Sequence, residues 1–171
     1  MSTLRFWIFR WLIISSVAMP LVVGASTPNV VLKDQDGKTR NVNEFIGQGK
    51  WTVVAVWSSN CPICRREIHH TSFFYDEYKK RDATVLGLSV DSERGRDKAL
   101  RFISDHGLEY PNLIGDPTVA SMLGGGRFVG TPTFLFYSPD GKLAAHRVGP
   151  VTVEQLEEML AKLRGQKPIS G

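Results

Sequence analysis

Cys61-Pro62-Ile63-Cys64 holds the only two cysteines in this chain of 171 residues. Two thiols separated by two residues, directly after an apolar run, have the layout of a dithiol redox centre. The run Val53-Val54-Ala55-Val56-Trp57 is short, rich in β-branched residues and uninterrupted, which predicts a central strand buried on both faces. The residues after Cys64 read as helix. A cysteine at such a strand-to-helix junction meets unpaired N–H groups and the positive end of the helix dipole, which favour a thiolate over a thiol. Cys61 is therefore the expected nucleophile and Cys64 the resolving thiol.

Composition supports chemistry over stapling. With 42% apolar and 22% charged residues, the chain has the makings of one globular domain with a full core, so it needs no disulfide framework. A bridge from Cys61 to Cys64 would close too short a loop to stabilise much through chain entropy. The formal charge of +4 falls to +2 without Arg5 and Arg10, and no Lys/Arg block stands out elsewhere. Arg65-Arg66 and Lys79-Lys80-Arg81 read as solvated helix faces, and nucleic acid is not an expected partner.

At the N-terminus, two arginines precede the uncharged stretch from Trp11 to Thr27, which Pro20 interrupts and which ends in the small residues Gly24-Ala25-Ser26. Residues 1–25 are expected to be a secretory signal cleaved after Ala25, or else a retained membrane anchor. Either way residues 26–171 form an exported domain, periplasmic or held at the outer face of the inner membrane. No cysteine comes after the apolar stretch at the place lipid attachment would need, which excludes that mode of anchoring.

The elements that must position the dithiol can be read in order. Asn29 to Leu32 and Thr39 to Val42 form a hairpin around Asp36-Gly37. A helix runs from about Pro62 to Lys80, with Ile68, Ser72, Tyr75 and Tyr78 on one side. Val85 to Val90 is a second buried strand, after which Asp91 or Ser92 caps a helix carrying Ala99, Leu100, Phe102 and Ile103 and stopping at Gly107. Asp116-Pro117 starts a short helix that ends at Gly124 to Gly126. Thr133 to Tyr137 and Lys142 to Arg147 form a hairpin, and a last helix spans Val153 to about Arg164. The alternation predicts an α/β fold, a mixed sheet with helices on both faces.

Trp57 four residues before Cys61, the Cys-Pro-Ile-Cys turn, and Gly130-Thr131-Pro132-Thr133-Phe134 ahead of the last hairpin carry a family resemblance. Over about residues 28 to 165 the chain resembles the exported thioredoxin-fold thiol-disulfide oxidoreductases of the TlpA/ResA type. The resemblance implies a thioredoxin-like sheet flanked by helices, with an N-terminal β-hairpin and a central helical insertion. It implies that Pro132 follows a cis peptide bond and packs against the cysteine turn, leaving the Thr131 backbone to pair with an extended substrate segment. An ordinary trans proline at the start of an edge strand is the alternative.

Trp57, Pro62, Thr131 and Pro132 are thus assigned to substrate binding, although Trp57 reads equally as a core aromatic ending its strand. The acid that thioredoxins bury behind the second cysteine falls on Ala55. Glu67, three residues after Cys64, matches an acid of the TlpA/ResA type and is assigned to proton transfer at Cys64. The implied partners are protein thiols and disulfides, apocytochrome c among them, with a membrane thiol transporter as electron donor. No cofactor is called for. A proline after the nucleophile occurs in oxidases and reductases alike, so the turn leaves the redox direction open.

Two other classes compete. Cys61, Cys64, His69 and His70 offer thiolate and imidazole ligands for copper or zinc, although helical rotation sends the two histidines in different directions. A thiol peroxidase would share the fold, but Ser58-Ser59-Asn60 stands where the upstream Pro and Thr of a peroxidatic cysteine are expected.

Overall fold

The computed structural model describes residues 29–165; the expected signal or anchor at 1–25 lies outside the described residues. A seven-stranded mixed sheet runs in the order β2-β1-β5-β4-β3-β6-β7. Its strands are β1 (Val31–Asp34), β2 (Thr39–Asn41), β3 (Trp51–Trp57), β4 (Ala83–Ser89), β5 (Asn112–Ile114), β6 (Thr133–Tyr137) and β7 (Leu143–Val148). The helices are α1 (Pro62–Glu67), α2 (His69–Tyr78), α3 (Arg96–Asp105), α4 (Pro117–Leu123) and α5 (Val153–Leu163). This is the mixed sheet with helices expected from the sequence.

Strand β3 occupies the centre, parallel to β4 and antiparallel to β6. Its side chains alternate between two cores, as a period of two requires. Val53, Ala55 and Trp57 join the residues of α1, α2, α3 and α5, while Val54 and Val56 join those of α4 and the first hairpin. Each fully buried large aliphatic or aromatic side chain contributes roughly 1.5–3 kcal/mol. Both faces being dry is the reason β3 reads as an unbroken apolar run. Glycine is required at 87 in β4, because a Cβ there would lie 1.8 Å from the Asn112 Oδ1 of β5.

Strands β3, β4 and β5 are parallel, so the turns that leave them lie along one edge of the sheet. That edge carries the cysteines.

Four local expectations change. The helix expected over 62–80 divides at Ile68, where the buried Thr71 hydroxyl donates to the Ile68 carbonyl at 2.6 Å and meets the Tyr110 hydroxyl at 2.7 Å. A hydroxyl bonded back into its own helix bends it. The buried side of α2 accordingly carries Thr71, Phe74 and Tyr78, with Ser72 and Tyr75 only partly covered. Strand β1 lies two residues later than expected and pairs with β5, a strand too short for periodicity to reveal. Neither Asp91 nor Ser92 caps a helix through its side chain; a 3-10 turn at Glu93–Gly95 precedes α3, and Asp91 faces elsewhere.

Candidate active site

Cys61 is the N-cap residue of α1, extended at φ −86° and ψ 111°, and Pro62 takes the first helical position. Proline fits there because its missing N–H would have had no partner and its φ is already helical. The Cys61 Sγ accepts the Cys64 N–H at 3.0 Å, the bond that a capping oxygen makes in other helices. On the other side the Cys61 thiol lies 3.6 Å from the Thr131 carbonyl. The Thr131-Pro132 peptide is cis, and Pro132 is buried. The chain thus brings together Cys61, Cys64, Thr131 and Pro132 from segments 70 residues apart.

The two thiols are free and unequal. Cys61 keeps 9% of its surface exposed and Cys64 1%. Burial raises the Cys61 pKa, but hydrogen bonds with the Cys64 thiol, with Thr131 and with the Cys64 and Ile63 N–H groups outweigh it. The net result is a thiol that ionises below an ordinary cysteine. Burial pushes Cys64 up to about 12, the bond to Cys61 adds to the rise, and the Ser58 backbone opposes it. Cys61 is therefore the easier of the two to ionise, and Cys64 holds its proton more firmly.

Trp57 is wholly buried, its ring stacked on Phe102 with centroids 4.6 Å apart. It supports the turn from within the core and presents no surface to a substrate. Pro62 and Ile63 are exposed at the tip of the turn. Ala55 pairs with Gly87 and Phe134, so no acid stands behind the cysteines from β3. Glu67 is half-buried on α1 with its carboxylate 3.6 Å from His70 Nε2, and no hydrogen bond links it to either thiol. The His69 and His70 rings, expected to point in different directions, lie with centroids 4.1 Å apart and planes tilted by 37°. Among the described residues no group of three or more His, Cys, Asp or Glu side chains is gathered to hold a metal ion.

Asp91, which the sequence suggested only as a helix cap, secures the approach to Cys61. Its carboxylate accepts the Ser58 hydroxyl at 2.6 Å, the Ser59 N–H at 2.9 Å and the Ser89 hydroxyl at 2.8 Å. The Ser58 carbonyl in turn accepts the Cys61 N–H at 3.1 Å, and the Ser58 backbone is the one that serves Cys64. The available signal was register: β3 and β4 run parallel with Trp57 beside Ser89, which puts Asp91 level with the serines.

Comparison with known proteins agrees with this geometry. The AhpC/TSA family matches residues 23–146. The thiol-disulfide oxidoreductase ResA of Bacillus thuringiensis is 28% identical over 148 residues, covering 82% of this chain and 78% of that protein. The thioredoxin domain of a thiol-disulfide oxidoreductase from Bacteroides vulgatus superposes with a TM-score of 0.66 at 23% identity, covering 84% and 98% of the two chains. A secreted Mycobacterium tuberculosis disulfide oxidoreductase, described as homologous to Escherichia coli DsbE, gives 0.62 at 20% identity, covering 80% and 96%.

Proposed function

We propose, from the premise that this chain belongs to the AhpC/TSA family and is a thioredoxin-like thiol-disulfide oxidoreductase, that it reduces disulfides of exported proteins with Cys61 as nucleophile and Cys64 as resolver. The observation that carries the assignment is the Cys61 sulfur at the N-terminus of α1, accepting a backbone N–H at 3.0 Å and standing next to Thr131. The Cys61 thiolate attacks one sulfur of a substrate disulfide; a Cys61–substrate bond forms, the substrate S–S bond breaks, and the first substrate sulfur leaves as a thiolate. Cys64 then loses its proton and attacks Cys61. The Cys61–Cys64 disulfide closes, the second substrate sulfur leaves, and two electrons have passed to the substrate.

Thr131 pairs with the extended substrate segment, while Pro62 and Pro132 form apolar sides of the contact. Glu67 accepts the Cys64 proton through water, in keeping with its place three residues along the same helix. Residues 1–25 serve as signal or anchor for the domain of 26–171, a reading that the secreted mycobacterial relative supports. In an oxidising compartment the dithiol needs a membrane thiol transporter to restore it. Apocytochrome c cysteines are the substrate class favoured by the resemblance to the TlpA/ResA type.

Alkylation of the reduced protein over a pH series tests the roles. Cys61 is lowered, so its thiolate is present, and labelled, at a lower pH than that of an ordinary thiol, while Cys64 stays protected. Earlier labelling of Cys64 would reverse the assignment. For Glu67→Gln, stopped-flow exchange with a model disulfide should show resolution slowed by up to about 10²-fold, the lower range for acid–base assistance, with the first attack little changed. Unaltered resolution at every pH returns Glu67 to the role of a surface charge.

A further inference from the structure

A groove of about 430 Å³ opens beside Ser59 and Asn60, just before the nucleophile, and α3 forms its far wall. Arg65 of α1 and Lys98 and Arg101 of α3 line it, together with Phe102, Asp105 and His106. Neither Thr131 nor Pro132 contributes, so the groove is separate from the edge where the substrate backbone is expected to pair.

Three features give the groove a preference. First, Arg65, Lys98 and Arg101 are exposed cations, and none of them has an ion-pair partner among the described residues, where nine other pairs form. Asp105 is the one acid in the lining, so the cations prevail. Second, the Arg65 guanidinium donates to the Ser59 carbonyl at 3.2 Å, which fixes one of the cations beside the approach to Cys61. Third, the groove is elongated: Lys98, Arg101 and Asp105 form one row along α3. From Lys98 to His106 the helix rises about 12 Å, the reach of about four residues of extended chain.

We propose that this groove is a specificity subsite for an acidic, extended segment of the protein substrate, adjacent to its reacting cysteine. Carboxylates of the segment meet Arg65, Lys98 and Arg101, and Phe102 gives an apolar floor. Three separate cations on two helices suit several carboxylates along a segment better than a single small anion. The proposal rests on Cys61 being the nucleophile, and it names what the protein selects beside the disulfide.

The test uses the full reduced chain and three peptide disulfides of equal length, their cysteines flanked by glutamate, serine or lysine. The acidic peptide should be reduced with a kcat/KM on the order of tenfold above the lysine peptide at low salt, as charge steering at a rim site gives. That ratio should fall towards one in about 0.5 M salt, where the screening length is on the order of 4 Å, and also in the double variant Lys98→Ser, Arg101→Ser. Equal rates for all three peptides, or a preference that survives in the double variant, would overturn the subsite alone. If even the serine peptide is not reduced, the nucleophile assignment fails and the subsite fails with it.

Discussion

Two helices of this molecule begin alike, at the carboxyl ends of parallel strands, with a capping residue followed by proline. At the start of α4, Asp116 accepts the Thr118 and Val119 N–H groups at 2.7 and 3.0 Å, with Pro117 in the first helical position. At the start of α1, Cys61 accepts the Cys64 N–H at 3.0 Å, with Pro62 in the same place. Both sites favour negative charge through the same backbone donors. At Asp116 the charge is a carboxylate that only holds the helix. At Cys61 it is a sulfur that has to ionise and can form a bond.

Their surroundings differ as well. Asp116 comes after β5 with one residue between, whereas Ser58 to Asn60 separate Cys61 from β3. The longer approach presents the sulfur to Thr131, and Asp91 keeps that approach in place. A helix cap is thus a ready anion site, and reactivity comes from the atom placed in it and from what that atom can reach.

Cys61→Ser separates the two helix starts most clearly. Serine is a good capping residue, so unfolding free energy should stay within about 1 kcal/mol, while disulfide exchange is lost altogether. Residual exchange in this variant would show that capping and chemistry are carried by different residues. Cys64→Ala comes next. It should accumulate mixed disulfides on Cys61, visible by non-reducing gel and mass spectrometry, and turnover should stop. Losing the Cys64 thiol as a donor also raises the Cys61 pKa, so its alkylation midpoint should move to higher pH. A midpoint that stays put would mean that the backbone donors alone hold the thiolate. Asp116→Ala has the smallest effect, about 1 kcal/mol of stability by thermal or denaturant unfolding, with exchange rates unchanged. A loss of exchange there would couple the two helix starts.

The parts of the fold carried by composition and period were legible. β3 reads directly because both of its faces are dry, and α5 because its apolar stripe is regular. The short β5 was not legible, because three residues after Pro111 carry no period and its place is set by pairing with β4 and β1. At the site, the cysteines and the Thr131-Pro132 segment were visible as motifs. Asp91 was not, since its partners Ser58 and Ser59 lie more than thirty residues away and meet it only through the register of β3 and β4. Trp57 allowed two readings, as substrate wall or core aromatic, and its stack on Phe102 gives it the core.

The division of the long helix at Ile68 gives the cysteine turn a short helix of its own. The ten residues of α2 are anchored by Phe74, by Tyr78 and by the Thr71 hydroxyl against Tyr110. The six residues of α1 include Cys64, carry Cys61 as their cap and are joined to α2 through a single residue. Closing and opening a bond between Cys61 and Cys64 asks for small, repeated shifts of the first helical turn. Ile68 keeps helical angles, φ −63° and ψ −24°, and is buried with Cys64, Phe74 and Tyr78. The joint therefore redirects the chain while both segments stay seated on one core, and the cysteine turn is fixed to the interior as a bracket is to its wall.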